Sequence, residues 1–145
     1  MKKMIQHFLL AFMLLCSVIV IPGCNTVKDS VIDSVLVETA NQINAQCPMT
    51  IDSDTRLDNT SALPGKVFQY NYTLVNYSKS KMTDSEVKEI QRIIQDELRP
   101  FILNGIKSSS EMKALKDYGV TFKYVYKTSD GFELSVLTIK PSEYK

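Results

Sequence analysis

The stretch KVFQYNYTLVNY, residues 66–77, decides the fold because its apolar and polar side chains alternate. The apolar members are Phe68, Tyr70, Tyr72 and Leu74, and the polar members between them are Gln69, Asn71 and Thr73. A period of two is typical of a β-strand with one buried face and one wet face. The sequence therefore predicts a strand over residues 66–77.

A long amphipathic helix is predicted after this strand. Thr83 and Glu86 have the spacing of a capping box, and an apolar stripe at helical spacing follows them. The stripe consists of Val87, Ile90, Ile93, Ile94, Leu98, Phe101 and Ile102. Pro100 removes a backbone donor and is predicted to kink or split the helix near Arg99. Asn104-Gly105 is predicted to close it.

The C-terminal part of the chain predicts a short helix and a hairpin. The helix begins at Ser110 and is capped by Gly119. Alternating strands over 120–126 and 132–139 flank Ser129-Asp130-Gly131, a strong turn signal. The alternation slips near Val136, which indicates either a bulge or a central strand covered on both sides.

Upstream of the first strand, the sequence predicts a helix over 31–46, with Ser30 as N-cap and Pro48 beyond its end. A brief extended piece over 49–51 and a polar loop over 52–65 follow. The predicted fold class is α+β, in the order α-β-β-α-α-β-β. We expect an antiparallel sheet of three or four strands with the helices on one face.

The first 23 residues have the layout of a secretory signal. Lys2 and Lys3 precede an apolar run over residues 8–21, which is too short to cross a membrane comfortably as a helix. The run ends in Ile21-Pro22-Gly23-Cys24, which resembles the lipobox of bacterial lipoproteins. This resemblance implies cleavage before Cys24 and attachment of acyl chains to its thiol.

The resemblance also implies an organisation and a location. Residues 1–23 would be a cleaved signal peptide, 24–30 a lipidated tether and 31–145 one α+β domain. Two acyl chains suffice to anchor a protein to a membrane without spanning it. Asn25, where inner-membrane lipoproteins commonly carry Asp, implies the outer membrane of a Gram-negative cell. In a Gram-positive cell the location would be the outer face of its single membrane.

The composition after the leader excludes several kinds of chemistry. Residues 24–145 carry 15 basic and 16 acidic side chains, so no charge excess favours nucleic acid. The only histidine, His7, lies in the leader, which excludes His-dependent triads and His-based metal sites. We therefore expect no metal, no cofactor and no catalytic residue. Cys47 is interpreted as a structural thiol, with intermolecular pairing as the alternative.

The candidate binding residues lie in the predicted loop over 52–65. They are Asp52, Asp54, Arg56 and Asp58, three acids around one base. Arg56 is predicted to pair with a neighbouring carboxylate and fix the loop. Alternatively, the loop and residues 59–63 form a recognition surface, since binding residues often lie on loops. The seven tyrosines are interpreted mainly as core.

Four stretches of the chain after the predicted leader resemble small exported bacterial α+β domains. They are Asp54-Thr55-Arg56-Leu57-Asp58, Leu63-Pro64-Gly65, Tyr70-Asn71-Tyr72-Thr73-Leu74 and Gly119-Val120-Thr121-Phe122. This resemblance supports the order of elements and implies no activity.

The function expected from the sequence is non-enzymatic: a membrane-tethered lipoprotein that binds another envelope protein. Pilotins, exclusion proteins and toxin-immunity lipoproteins are of this size and kind, and no motif chooses among them. The alternatives are a small-ligand carrier and a cell-wall hydrolase that uses carboxylates alone.

Overall fold

The computed structural model describes residues 29–145, with side chains from Ile32 onward. The helices are α1 Asp29–Asn44, α2 Asp84–Arg92, α3 Arg99–Ser108, α4 Lys113–Asp117 and α5 Pro141–Tyr144. The strands are β1 Met49–Thr50, β2 Thr55–Leu63, β3 Val67–Leu74, β4 Thr121–Thr128 and β5 Glu133–Ile139. A 3₁₀ turn spans Lys79–Lys81, and a π-helical segment, Ile93–Leu98, joins α2 to α3. The predicted leader, the lipobox and most of the tether lie outside the described residues.

The strands form one sheet in the order β1-β2-β3-β4-β5. This confirms the predicted α+β class and the order of the main elements, with one more strand than the upper estimate. Neighbouring strands are antiparallel except β3 and β4, which are parallel, with Phe68 opposite Phe122 and Leu74 opposite Thr128. The prediction of a wholly antiparallel sheet was wrong at this pair. Here the chain returns through a helical crossover instead of a hairpin.

The polar loop predicted over 52–65 is wrong over most of its length, because residues 55–63 form β2. The register shifts at Asp58, since Leu57 lies opposite Tyr72 and Asn59 lies opposite Asn71. This bulge changes the spacing of the buried positions, which are Thr55, Leu57 and Thr60. The strand therefore lacks the strict alternation by which a sequence shows a strand.

The described helices pack on one face of the sheet, as predicted. The core contains Ile32 and Leu36 of α1 together with the long helical stretch and the inward residues of β3 and β4. The tyrosines of the two central strands stack across the parallel pair. Ring centroids are 5.0 Å apart for Tyr70 and Tyr124, and 5.3 Å apart for Tyr72 and Tyr126. Most of the tyrosines in β3 and β4 are buried, which confirms their interpretation as core.

The long helix begins and breaks where the sequence predicted. Thr83 and Glu86 form the capping box in both directions. The α-helical hydrogen-bond pattern is interrupted over Ile93–Leu98 and resumes at Arg99, next to Pro100, which cannot donate to the preceding turn. The predicted end at Asn104-Gly105 was wrong. The helix continues to Ser108 because Ile106 is fully buried in the core.

The predicted hairpin is confirmed, and the structure explains its slip in alternation. Gly119 ends the short helix with a φ of +71°, which suits glycine. In the hairpin, Tyr126 lies opposite Ser135 and Lys127 lies opposite Glu133, so Leu134 is an extra residue. The bulge interpretation is correct. The alternative of a central strand is wrong, because β5 lies at the edge of the sheet.

The outer edge of β5 is covered by side chains of the long helix. Gln91 Nε2 donates to the carbonyl of Leu134 at 2.8 Å. Gln95 Nε2 and Arg99 Nη2 repeat this contact with Val136 at 3.3 Å and Thr138 at 3.0 Å. Successive contacts are four residues apart in the helix, which is a rise of about 6 Å, and two residues apart in β5, which is a rise of about 6.7 Å. The spacing of the helical side chains therefore matches the spacing of the strand carbonyls. This ladder prevents another strand from pairing with β5.

The opposite edge of the sheet is protected by one residue of α1. Asn44 Nδ2 donates to the carbonyl of Thr60 at 2.9 Å, and the Thr60 N–H donates to Asn44 Oδ1 at 2.6 Å. The side-chain amide thus takes the place of a paired strand residue. It satisfies backbone groups of β2 at Thr60, beyond Leu57, which pairs with Met49 at the start of the two-residue β1.

Asn44→Ala should lower the free energy of unfolding by about 1–3 kcal/mol, because the Thr60 backbone groups lose their partner. Urea denaturation measures this change. Asn41→Ala, an exposed asparagine one turn earlier in α1, is the matched control and should change stability by less than about 0.5 kcal/mol. Equal effects of the two substitutions would contradict the role of Asn44.

Asp130 joins the β4–β5 turn to the segment that follows β3. Its carboxylate accepts hydrogen bonds from the backbone N–H groups of Lys79 (2.9 Å) and Ser80 (3.0 Å). The hydroxyls of Ser78 (2.8 Å) and Thr128 (2.5 Å) also donate to it. These bonds, that from Thr128 first, hold the pKa of Asp130 far below its usual value.

A carboxyl group whose pKa is lower in the folded protein than in the unfolded chain, where it is about 3.9, stabilises the fold at pH values above about 3.9. This stabilisation is lost as the pH falls through the pKa of the folded state. Asp130→Asn should therefore unfold at lower urea than the wild type at pH 7. The difference between the two proteins should shrink steadily below about pH 4. Asp96→Asn, at an exposed carboxylate of the long helix, is the matched control and should change the free energy of unfolding at pH 7 by less than about 0.5 kcal/mol. A difference for Asp130→Asn that is constant with pH would contradict the assignment.

Candidate functional site

One face of the sheet carries no helix among residues 29–145; it is called the open face below. It is formed by the side chains that point away from the helices along β2 to β5, and two of these, Val125 (3% exposed) and Thr73 (8% exposed), are themselves buried. Its members are Arg56, Asp58, Asn59, Ser61, Gln69, Asn71, Thr73, Lys123, Val125, Lys127, Val136 and Thr138. The wet side of the strand predicted over 66–77 is the centre of this face.

The structure separates the four predicted binding residues into two pairs. Asp52 and Asp54 lie in the turn between β1 and β2. Asp52 Oδ1 accepts the N–H groups of Asp54 (2.8 Å) and Thr55 (2.7 Å), and Asp54 Oδ1 accepts from Asn76 Nδ2 (2.7 Å). Both carboxylates therefore shape the turn. The other two residues, Arg56 and Asp58, lie on the open face.

Arg56 and Asp58 form a hydrogen-bonded group at the bulge of β2. Arg56 Nε donates to Asp58 Oδ1 at 2.5 Å, and Thr73 Oγ1 donates to Asp58 Oδ2 at 2.6 Å. The predicted pairing of Arg56 with a neighbouring carboxylate is thus observed, but on a strand instead of a loop. Asp58 links β2 to β3 across the open face.

A row of amide side chains continues this polar surface. Asn71 Nδ2 donates to Asn59 Oδ1 at 2.7 Å, and Gln69 Nε2 donates to Asn71 Oδ1 at 2.8 Å. The sequence predicted that Gln69 and Asn71 lie on the wet side of a strand, but it placed Asn59 in a loop. The row forms only when β2 and β3 pair. Five hydrogen-bonded side chains of β2 and β3 thus hold each other in fixed positions beside Arg56.

Two ionisable side chains near this region have shifted pKa values. Burial, followed by the negative charge of Asp58, raises the pKa of the Cys47 thiol. This keeps Cys47 protonated and unreactive at neutral pH, as expected of a structural thiol. Burial also raises the pKa of Tyr77, and the charges of Asp54 and Asp52 add to the effect. Neither group gains nucleophilic character from its surroundings.

The described residues form neither a metal-ion cluster nor a membrane-spanning helix. Within residues 29–145, no group of three or more His, Cys, Asp or Glu side chains is arranged to hold a metal ion. No helix in this part of the chain is long and apolar enough to cross a membrane.

Residues 30–134 match the model of a protein family described as Domain of unknown function (DUF8479). The chain belongs to the DUF8479 family. The matched region begins near the start of α1 and ends at the second residue of β5, so it includes the open-face residues of β2, β3 and β4 but not Val136 and Thr138 of β5. A comparison with curated protein sequences finds no match.

Two solved structures of bacterial proteins have the same fold as this DUF8479 protein. PA3611, a candidate secreted protein of Pseudomonas aeruginosa, has a TM-score of 0.66 at 12% identity, over 84% of this chain and 100% of that chain. The type II secretion system pilotin AspS of Vibrio cholerae has a TM-score of 0.52 at 8% identity, over 79% of this chain and 93% of that chain. At these identities the likeness concerns the fold alone.

Removing Arg56 should lower the free energy of unfolding less than removing Asp58 does. Arg56→Ala should cost less than about 1 kcal/mol, since the pair is partly exposed, with side-chain exposures of 43% and 29%. Asp58→Ala should cost about 1–2 kcal/mol, because Thr73, which is only 8% exposed, also loses its acceptor. Urea denaturation tests the order. A larger cost for Arg56→Ala would show that Thr73 does not depend on Asp58.

Proposed function

We propose that this DUF8479 protein is a membrane-tethered envelope lipoprotein that acts without catalysis, by binding another envelope protein through its open face. The observation that carries the proposal is the hydrogen-bonded arrangement on that face. Asp58 holds Arg56 and Thr73, and the amide row from Asn59 to Gln69 lies beside them.

A surface of this kind suits protein recognition for a physical reason. Ordering a rotamer-rich side chain at an interface costs about 0.5–1.5 kcal/mol. Side chains already fixed by bonds to one another avoid most of that cost. Both sheet edges carry side-chain amides from α1 or the long helix, so addition of a partner strand is hindered at either edge. Contact with the open face remains the more accessible mode of binding.

The carboxylates support a binding role over the alternative of a hydrolase. Asp52, Asp54 and Asp58 already accept hydrogen bonds that shape a turn or join two strands. A glycosidase needs two carboxyl groups facing each other across a cleft, one of them with a raised pKa. The three aspartates are used to build the scaffold instead.

The fold supports an accessory role in the envelope. AspS, which has the same fold, is a pilotin of a type II secretion system. The lipobox at residues 21–24 would place this domain on a membrane surface, and its acyl chains would anchor it. Asn25 favours the outer membrane if the cell is Gram-negative. Together, the fold and the lipobox suit an adaptor that is held at a membrane next to its partner.

Cys24→Ser should release the protein from the membrane fraction into the soluble fraction, because no thiol remains at the lipobox to receive acyl chains. Immunoblotting of fractionated cells provides the measurement. Cys16→Ser, a cysteine of the leader outside the lipobox, is the matched control and should leave the protein in the membrane fraction. Retention of the Cys24→Ser protein in the membrane would contradict the lipid anchor.

Asn59→Arg should abolish capture of the partner, because it places a bulky charge in the middle of the open face. The test is in-cell crosslinking of the tagged protein, followed by identification of what co-purifies with it. Asn41→Arg introduces the same side chain at an exposed position of α1 and should leave capture unchanged. If both variants capture the same partner as the wild type, the open face is not the binding surface.

A further inference from the structure

The fold sorts the charged side chains of this protein to opposite ends of the sheet. Over the whole sequence the charges nearly balance, with 17 Lys and Arg against 16 Asp and Glu. β3 and β4 start at the same end because they are parallel, and β2 and β5 finish there. The turn over 64–66, the region over 107–120 and residues 140–145 therefore meet at one end, called the cationic end below.

The cationic end has a clear excess of positive charge. Its six lysines are Lys66, Lys107, Lys113, Lys116, Lys140 and Lys145, and its three acids are Glu111, Asp117 and Glu143. The opposite end has the reverse balance, with six acids against three lysines. Those acids are Asp52, Asp54, Asp84, Glu86, Asp130 and Glu133, and the lysines are Lys79, Lys81 and Lys127.

Two of the three acids at the cationic end are already paired. Asp117 Oδ2 accepts from Lys113 Nζ at 2.5 Å, and Glu143 Oε1 accepts from Arg99 Nη2 at 2.7 Å. Lys116 Nζ donates to two backbone carbonyls, those of Lys107 at 2.9 Å and Ser109 at 2.8 Å. Because both acceptors are neutral carbonyls, they do not cancel the positive charge of Lys116. The excess of positive charge at this end therefore persists.

A solvent-open surface pocket of about 400 Å³, called the cavity below, lies among these groups. It is lined by Lys113, Lys116, Asp117, Tyr144 and Lys145. Tyr144 is held firmly, since its hydroxyl donates to the carbonyl of Val120 at 2.6 Å and its ring lies 5.8 Å from that of Phe122. The cavity therefore has three ammonium groups, one carboxylate and a fixed aromatic wall.

We propose that the cationic end is a second contact surface that binds an acidic segment of a protein partner, with a carboxylate side chain entering the cavity between Lys113 and Lys145. This inference rests on the proposed binding role and adds the chemical class of the partner. A surface of one sign attracts and orients a segment of the opposite sign.

A lipid surface fits the cationic end less well. Proteins that lie on anionic membranes combine basic groups with apolar side chains that insert at the acyl boundary. Among the described residues, the large apolar side chains that are exposed are Val37 on α1 and Phe132 beside the β4–β5 turn. None of the loops at the cationic end carries one. The lysines there surround a cavity, which suits a protruding side chain better than a flat membrane.

The test uses the full-length protein in a nonionic detergent and a fluorescent octaglutamate peptide as the probe, with octaglutamine as its neutral counterpart. Fluorescence anisotropy should show salt-dependent binding of octaglutamate only.

The double variant Lys113→Glu with Lys145→Glu should weaken that binding about tenfold or more. Lys81→Glu with Lys88→Glu makes the same change in net charge at exposed lysines away from this end and should alter binding less than about twofold. Circular dichroism verifies that both double variants are folded.

Two results would overturn the proposal. Equal loss in both double variants would mean that the peptide responds to net charge and not to the cationic end. Tighter binding to phosphatidylglycerol vesicles than to octaglutamate, lost with Lys113→Glu and Lys145→Glu, would identify a lipid surface as the ligand.

In-cell crosslinking separates this inference from the proposed function. If the Lys113→Glu, Lys145→Glu variant captures the partner as well as the wild type does, the inference about the cationic end fails and the binding role stands. If the wild-type protein captures no partner, the binding role itself fails, whatever the peptide shows.

Discussion

The parallel pairing of β3 with β4 constrains the rest of this domain. Parallel neighbours cannot be joined by a hairpin, so the chain between Leu74 and Thr121 must cross over the sheet. That crossover carries the long helix, which packs its apolar stripe onto one face. The stacked tyrosines of the two strands lie beneath it. β2 and β5 then add on either side through tight turns, and the second face receives no helix from the described part of the chain.

This arrangement links the scaffold to its proposed role. The crossover helix also supplies the side chains that cover the edge of β5, and Asn44 covers that of β2. Under the proposed function, edge closure leaves the open face for recognition, and on that face Asp58 and the amide row fix the polar side chains. The same parallel pair places the two strand starts at one end, where the lysines collect. Both proposed contact surfaces thus depend on one topological feature.

Local patterns predicted the elements that are regular in sequence. The alternation over 66–77, the capping box at Thr83 and the turn at Asp130 each depend on residues close together in the chain. The prediction failed where tertiary contacts override local signals. Ile106 extends a helix past Gly105 because the core buries it, and the bulge at Asp58 hides the strand that carries Arg56. Arg56 and Asp58, two of the four predicted binding residues, therefore lie on a strand and not on the predicted loop.

The sequence by itself determined the α+β class and the order of the main elements, because these depend on composition and on short-range periodicity. Export and lipid attachment are predictions of the sequence alone, from the resemblance of residues 1–24 to a signal peptide that ends in a lipobox. Only the tertiary structure decided the parallel central pair, the separation of Asp52 and Asp54 from Arg56 and Asp58, and the division of charge between the two ends. Each of these depends on which distant segments meet, and a single chain with nearly balanced charge carries no local signal of that.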